Sequence, residues 1–288
     1  MKIVAIVLHF GPLDTTQRCI VSLLKTEKLI SKIIIVNNSQ HLLSKKDFKN
    51  NEKIHIINNE RNVGFATGVN IGISYGFSYK ADYFFIVNND TIIKKEILSK
   101  LIDDLKQNEE IGIIAPTITF KKKNKTLFDL GGYINKITGK TFHDNKKIVT
   151  DKNVLFPDYV SGCCVLVPRK IFEKVGLFDE RFFLYYEDVD LCLRVKEKGF
   201  VVALDPTAVI FHALSQSVGK VSKVSFYHQT YSALEFGHKY FSSWKRILNI
   251  CFIVLQSGVF LIKAPFAGSA AFEAIANYAL RRKKLIQN

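Results

Sequence analysis

Three polar clusters in this 288-residue chain have residue types and spacing that could do chemistry. Asn88-Asn89-Asp90-Thr91 follows an apolar run and carries oxygen ligands at i and i+2. At a strand end that spacing aims both side chains the same way. Hard oxygen donors suit Mg²⁺ or Mn²⁺, ions that bridge substrate phosphates with few protein ligands. A strand-to-helix turn capped by Asp90 or Thr91 explains the same residues without a metal. Glu187-Asp188, with Asp190 beyond, follows the aromatic run Phe182-Phe183-Leu184-Tyr185-Tyr186. Aromatic neighbours that exclude water would raise a carboxyl toward the working pH of a general base. Acids at a helix N-terminus are equally ordinary capping and dipole chemistry. A lone His212 reads either as a metal ligand or as a structural histidine.

A fourth cluster concerns phosphate. Glu60-Arg61-Asn62-Val63-Gly64-Phe65-Ala66-Thr67-Gly68-Val69-Asn70-Ile71-Gly72 spaces glycines four apart at a predicted helix start. Backbone N–H groups there could receive a diphosphate. Close helix–sheet packing is the other reading of the same glycines. The dinucleotide fingerprint GxGxxG is absent.

These clusters need elements to position them. Short apolar runs alternate with amphipathic stretches through the first half. Strands are predicted at 2–8, 32–36, 53–57, 82–87 and 111–118. Helices are predicted at 14–26, with Asp14 as N-cap, and at 66–79 and 94–106. Such alternation specifies an α/β domain with a largely parallel sheet. Ligands in such folds bind beyond the carboxyl ends of the strands. Asn37-Asn38-Ser39, Asn88-Asn89-Asp90 and His212 all fall at such ends. A strand at 160–168, helices near 169–175 and 187–198, and strands at 200–204 and 208–211 follow. Residues 222–283 read as helices only. Their apolar stretch 247–262 is shorter than the ~20 residues that span a bilayer, which favours an interfacial helix or plain packing.

Composition bounds the classes. Apolar residues at 48% and charged residues at 23% exclude a disordered or collagenous chain. Five cysteines without a CxxC pair give neither a zinc spacing nor a disulfide framework, and fit a reducing cytosol. The N-terminal apolar run stops at His9, too early for a signal peptide, and reads as a first strand. The net charge of +15 admits nucleic acid, an anionic membrane or an anionic substrate. Residues 239–288 hold eight basic residues against one acid, Glu273, so the excess is concentrated there. RRM, KH, helix-turn-helix and zinc-finger signatures are lacking, so no nucleic-acid partner is expected. A basic nucleic-acid-binding protein and a non-catalytic scaffold remain the rivals from other classes.

In their order and spacing these words resemble the GT-A glycosyltransferases of family 2, nearest the bacterial rhamnosyltransferase-like branch. NVGFATGVNIG, VNNDT and GLFDERFFLYYEDVDLCLR carry the likeness, which covers about residues 1–220. The resemblance implies a GT-A fold, a Rossmann-like nucleotide-binding α/β domain with a mixed central sheet, at 1–220. A basic helical region at 221–288 would follow. It implies inverting transfer of a sugar, with rhamnose from dTDP-rhamnose favoured and UDP-hexose or UDP-galactofuranose as alternative donors. The acceptor would be a hydroxyl of a cell-surface polysaccharide or lipid-linked glycan. Asp90 and His212 would hold a divalent metal, Mn²⁺ or Mg²⁺. Asp188 would be the general base, paired with Glu187. Asn37, Arg61, Asn62, Gly64, Gly68, Asn88 and Asn89 would lie along the donor, and Tyr185 and Tyr186 on the acceptor side. Asn37 and Asn88 stand where the wider family has aspartates. The enzyme would be cytoplasmic, held at the inner membrane face through 245–288.

Overall fold

A computed structural model describes residues 1–25, 28–122, 125–144, 153–213 and 222–287. The first half is β1 (Ile3–His9), α1 (Leu13–Leu24), β2 (Ile30–Asn37), a 3-10 turn (Lys45–Phe48), β3 (Ile54–Asn58), α2 (Phe65–Ser78), β4 (Tyr83–Asn88), β5 (Thr91–Ile92), α3 (Ile97–Gln107) and β6 (Ile111–Lys122). Then β7 (Lys125–Asp129) returns on β6, and β8 (Gly132–Ile134) pairs with β9 (Thr141–His143) as a separate hairpin. β10 (Cys164–Pro168), α4 (Arg169–Val175), α5 (Glu187–Glu197) and β11 (Val201–His212) complete the α/β part. Three helices close the chain: α6 (Lys223–Tyr240), α7 (Ser243–Lys263) and α8 (Pro265–Gln287).

The sheet runs β3-β2-β1-β4-β10-β6-β11-β5, with β7 beside β6. It is mixed rather than largely parallel. β10 lies antiparallel between β4 and β6, and β5 antiparallel on β11. Both faces are covered, which is why the strands read as unbroken apolar runs. Along β1, Ile3, Ala5 and Val7 face one core with Cys19, Leu23, Leu98 and Leu101 of α1 and α3. Val4 and Ile6 face the other, with Val69 and Ile73 of α2 and Phe172 of α4.

Three local expectations change. Asp14 does not cap α1; it sits in the first turn and pairs with Arg18 at 2.9 Å. The strands expected at 200–204 and 208–211 are one strand, β11, with an irregularity between Asp205 and Val209. Pro206 lacks a ladder N–H, and Asp205 Oδ1 takes the Thr207 N–H (2.7 Å) and hydroxyl (2.8 Å) instead. The apolar stretch at 247–262 belongs to the 21-residue helix α7, long and apolar enough to cross a membrane by length and composition. The boundary expected at 220/221 and the end of the first helix at Thr26 lie outside the described residues.

Candidate active site

The strand order brings the polar clusters to one edge. β1, β2, β4 and β11 all end there, and β10 begins there because it runs the other way. Asp90 follows β4 directly, and β5 pairs with the end of β11 in the register His212↔Thr91. That two-residue pairing sets His212 Nε2 2.8 Å from Asp90 Oδ1. Both are largely buried, with side chains 16% and 7% exposed, so the contact is shielded from solvent. Burial works against the imidazolium, but Cys163 and the Asp90 carboxylate outweigh it and hold His212 above its ordinary range.

Asp188 reaches the same edge by a short route. Asn88 N–H donates to the Cys163 carbonyl at 2.8 Å, and Gly162 N–H donates to Asp188 Oδ2 at 2.9 Å. Through Asn88 and Gly162 these two bonds link Glu187-Asp188 to the Asp90–His212 pair. Asp188 Oδ1 accepts from Val189 N–H at 2.8 Å. Burial raises its carboxyl, opposed by those two N–H bonds and by His143. His143 itself pairs with Asp129 at 2.9 Å and meets the Tyr159 ring edge-on at 5.4 Å. Glu187 is buried, and its Oε2 has no hydrogen-bond partner among the described residues. Burial and then Asp188 hold it well above the usual carboxylate range.

Tyr185 and Tyr186 both adopt left-handed backbone, at φ 68° and 66°. This conformation is costly for aromatic residues and turns the chain sharply into α5. Tyr185 is half-buried at the edge. Tyr186 is not an open acceptor wall: its hydroxyl points at the Gly139 carbonyl (3.4 Å) and its ring packs on Phe236 (5.2 Å).

The donor-side residues divide into groups that face solvent and groups that build the edge. Arg61 is exposed and makes no ion pair among the described residues. Asn88 is half-buried beside Asp90. Asn62 is exposed and its Oδ1 accepts from Gly64 N–H at 3.0 Å, shaping the loop. Gly64 has φ +87°, and a Cβ there would lie 2.6 Å from the Phe183 carbonyl. That carbonyl accepts from Phe65 N–H at 2.7 Å, joining the glycine loop to the segment before Asp188.

Three of the residues expected along the donor make structural contacts. Asn37 is fully buried, with its amide on His41 O (2.8 Å) and Asn58 Oδ1 (2.7 Å), so it folds the turn after β2. Asn89 binds Phe10 O (3.1 Å) and Thr16 Oγ1 (2.9 Å), which fixes the β1–α1 loop. At Gly68 a Cβ would lie 2.4 Å from Leu8 Cδ1, so that glycine serves helix–sheet contact.

Sequence reasoning passed over several contributors. Gly162 and Cys163 supply backbone to both halves of the site, and Cys163 Sγ lies 3.3 Å from the Thr91 hydroxyl. Asn38 donates to the Gly64 carbonyl at 2.9 Å and accepts from Asn59 at 2.8 Å. The backbone roles of Gly162 and Cys163 come to light only through the antiparallel placement of β10.

The fit to a divalent ion follows from the donor set. One carboxylate oxygen and one imidazole nitrogen in mutual contact are donors of a kind that would fit Mn²⁺ or Mg²⁺. Among the described residues no third His, Cys, Asp or Glu groups with them. Substrate phosphate oxygens would complete the coordination, as is common for such ions.

Comparison with known proteins shows the family and the fold. A family model described as Glycosyl transferase family 2 matches residues 4–176. The dTDP-rhamnosyl transferase RfbF of Shigella flexneri is 26% identical over 78% of this chain and 73% of its own. The N-acetylglucosaminyl-diphospho-decaprenol L-rhamnosyltransferase of Mycobacterium tuberculosis is 26% identical over 85% of this chain and 86% of its own. Among solved structures, GalNAc-T7 with UDP, GalNAc and Mn²⁺ superposes with a TM-score of 0.62 at 15% identity. That match covers 80% of this chain and 47% of the other, and shows a shared GT-A fold.

Proposed function

Given that this chain belongs to glycosyl transferase family 2, and is a nucleotide-sugar glycosyltransferase, we propose that it transfers a hexose with inversion to a glycan hydroxyl. The favoured donor is dTDP-rhamnose, since two rhamnosyltransferases are among its relatives. The favoured acceptor is a cell-surface polysaccharide or its lipid-linked precursor. The observation that carries the reading is the short backbone bridge from Asp90 through Asn88 and Cys163 to Gly162 and Asp188.

Asp188 is the general base. Its carboxylate, fixed by Gly162 N–H, takes the proton of the acceptor hydroxyl. The freed oxygen attacks the anomeric carbon as the bond from that carbon to the diphosphate breaks, and the nucleoside diphosphate departs. Protonated Glu187 keeps a second negative charge away from Asp188. Arg61 faces the diphosphate, and the nucleotide base lies against the turn that Asn37 folds. Asp90 and His212 would hold a divalent ion, which would supply charge stabilisation for the leaving diphosphate.

Thermal shift with dTDP- and UDP-sugars, with and without Mn²⁺, tests donor and metal together. A dTDP-sugar shift that needs Mn²⁺ and vanishes in Asp90→Asn is expected. An undiminished shift in EDTA would overturn the metal role.

The C-terminal helices make the second part of the proposal. α7 exposes Trp244, Ile247, Leu255 and Ile262 while burying Asn249, Ile253 and Ser257. Asn249 Nδ2 donates to the Thr138 carbonyl at 2.6 Å, which keeps the helix docked along the body. A docked helix with one apolar face and flanking Lys245 and Lys263 suits the plane of an anionic membrane surface better than a crossing. The enzyme then works from the cytoplasmic face, where lipid-linked acceptors are within reach.

A further inference from the structure

Beyond the donor edge, an aromatic strip leads away from the catalytic segment onto α6. Phe183 stacks on His228 at 4.5 Å between ring centroids and 17° between planes. His228 meets Tyr227 edge-on at 5.2 Å, and Tyr227 lies parallel to Tyr231 at 6.1 Å. Phe183 is the residue whose carbonyl fixes the Gly64–Phe65 loop, and Ser232 of α6 donates to the adjoining Leu184 carbonyl at 2.9 Å. The strip is therefore rigidly continuous with the segment that presents Asp188.

A cleft of about 240 Å³ opens on this strip, lined by Lys223, Val224, Tyr227, His228, Ala270 and Glu273. We propose that this cleft binds one neutral sugar ring of the acceptor glycan, a unit beyond the sugar that is glycosylated. The inference rests on the glycosyltransferase reading above and names a subsite for its acceptor.

The lining fits that chemistry. A pyranose has an apolar C–H face and a rim of hydroxyls. Tyr227 and His228 offer ring surface, while Lys223 and Glu273 offer one donor and one acceptor group at the rim. The volume lies below the ~300–1,000 Å³ of drug-sized sites, so it suits one ring rather than a nucleotide. Glu273 opposes a second phosphate. An isoprenoid tail would strip water from Lys223 and Glu273 without pairing them, which is unfavourable. Burial holds the His228 imidazole below its ordinary range, so its ring is uncharged at pH 7. Asn277 of α8 donates to the Tyr227 hydroxyl at 3.1 Å and fixes the ring that would do the stacking.

Saturation-transfer NMR on the full chain tests this, with methyl α-L-rhamnopyranoside and methyl 2-acetamido-2-deoxy-β-D-glucopyranoside as probes. At least one probe should receive saturation on its C–H face in the wild type. Tyr227→Ala and His228→Ala should reduce it at least fivefold, and Tyr227→Phe should retain it. The exposed double variant Lys223→Ala/Glu273→Ala, which leaves the packing intact, should reduce it about threefold. Saturation unchanged in the folded variants, or absent from both probes in the wild type, would overturn the subsite. The donor thermal shift is read in parallel. If the donor stabilises every variant while saturation is undiminished, the subsite fails and the enzyme reading stands. If no donor stabilises the wild type but saturation still depends on Tyr227 and His228, the enzyme reading fails and the sugar cleft stands.

Discussion

The two acids of the Glu187-Asp188 pair are adjacent in sequence and opposite in situation. Asp188 is half-buried and takes N–H bonds from Gly162 and Val189, whereas Glu187 is buried without a partner on Oε2. Asp188→Asn should lower kcat by about 10²–10⁴-fold with the fold intact, the usual contribution of a positioned base. Glu187→Gln, which keeps a neutral side chain of the same shape, should stay within about tenfold of wild type. Single-turnover rates with matched circular dichroism check both, and equal losses would reject the division of roles. A third acid bears on stability. Burial and the facing Asp205 lift Asp104 to about 6 from an ordinary value near 3.8. The folded state thus holds this proton more tightly than the unfolded chain, and stability falls as pH rises from about 4 to about 6. Asp104→Asn should be more stable than wild type above pH 6, by about 1 kcal/mol after discounting for partial exposure, with no advantage at pH 4. Denaturant midpoints across that range measure it. At this scale the sequence singled out Asp90 and His212 one by one, from the chemistry of their side chains, and the fold brings them into contact. The polar atoms of Asn37, Asn89 and Tyr186 turn inward to hold loops, a choice made by tertiary contacts rather than by residue type.

At the scale of elements, the glycine loop and the segment before α5 share one hydrogen bond, from Phe65 N–H to the Phe183 carbonyl. Gly64 permits that approach with φ +87°. Gly64→Ala adds a Cβ 2.6 Å from a backbone oxygen in a conformation alanine avoids, and should destabilise by about 2–4 kcal/mol. Gly258→Ala on α7 meets nothing within 4 Å and should stabilise by about 0.4–1 kcal/mol. Thermal melts of both variants give opposite signs if the geometry holds. Strands and helices were legible along most of the first half, since covered strands read as apolar runs and helices as amphipathic ones. The bulge at Asp205-Pro206 divided β11 in the reading because proline and a polar neighbour mimic a turn. The reversed direction of β10 left no local mark at all, since orientation is decided by partners far along the chain.

For the whole molecule, charge and apolar surface coincide at one end. Trp244, Leu255 and Ile262 are exposed on the helix flanked by Lys245 and Lys263. Sedimentation with vesicles containing 30% anionic lipid should carry down the full chain, weakly at high salt, since each nearby basic residue contributes about 1 kcal/mol. Trp244→Ser/Leu255→Ser should cut the bound fraction about fivefold without altering the donor thermal shift. Equal sedimentation of the variant would reject the membrane face. The helices are nevertheless anchored to the α/β part, through Lys239 between Asp179 (2.7 Å) and the buried Asp190, and through Tyr240 on Asp190 at 2.8 Å. The pairing of Asp90 with His212 spans 122 residues. On a ribosome adding about 5–20 residues per second, roughly 6–24 s separate the synthesis of the two. Throughout that interval the nascent chain can display Asp90 but not its partner, so the edge where the diphosphate would bind matures only after β11 has been made.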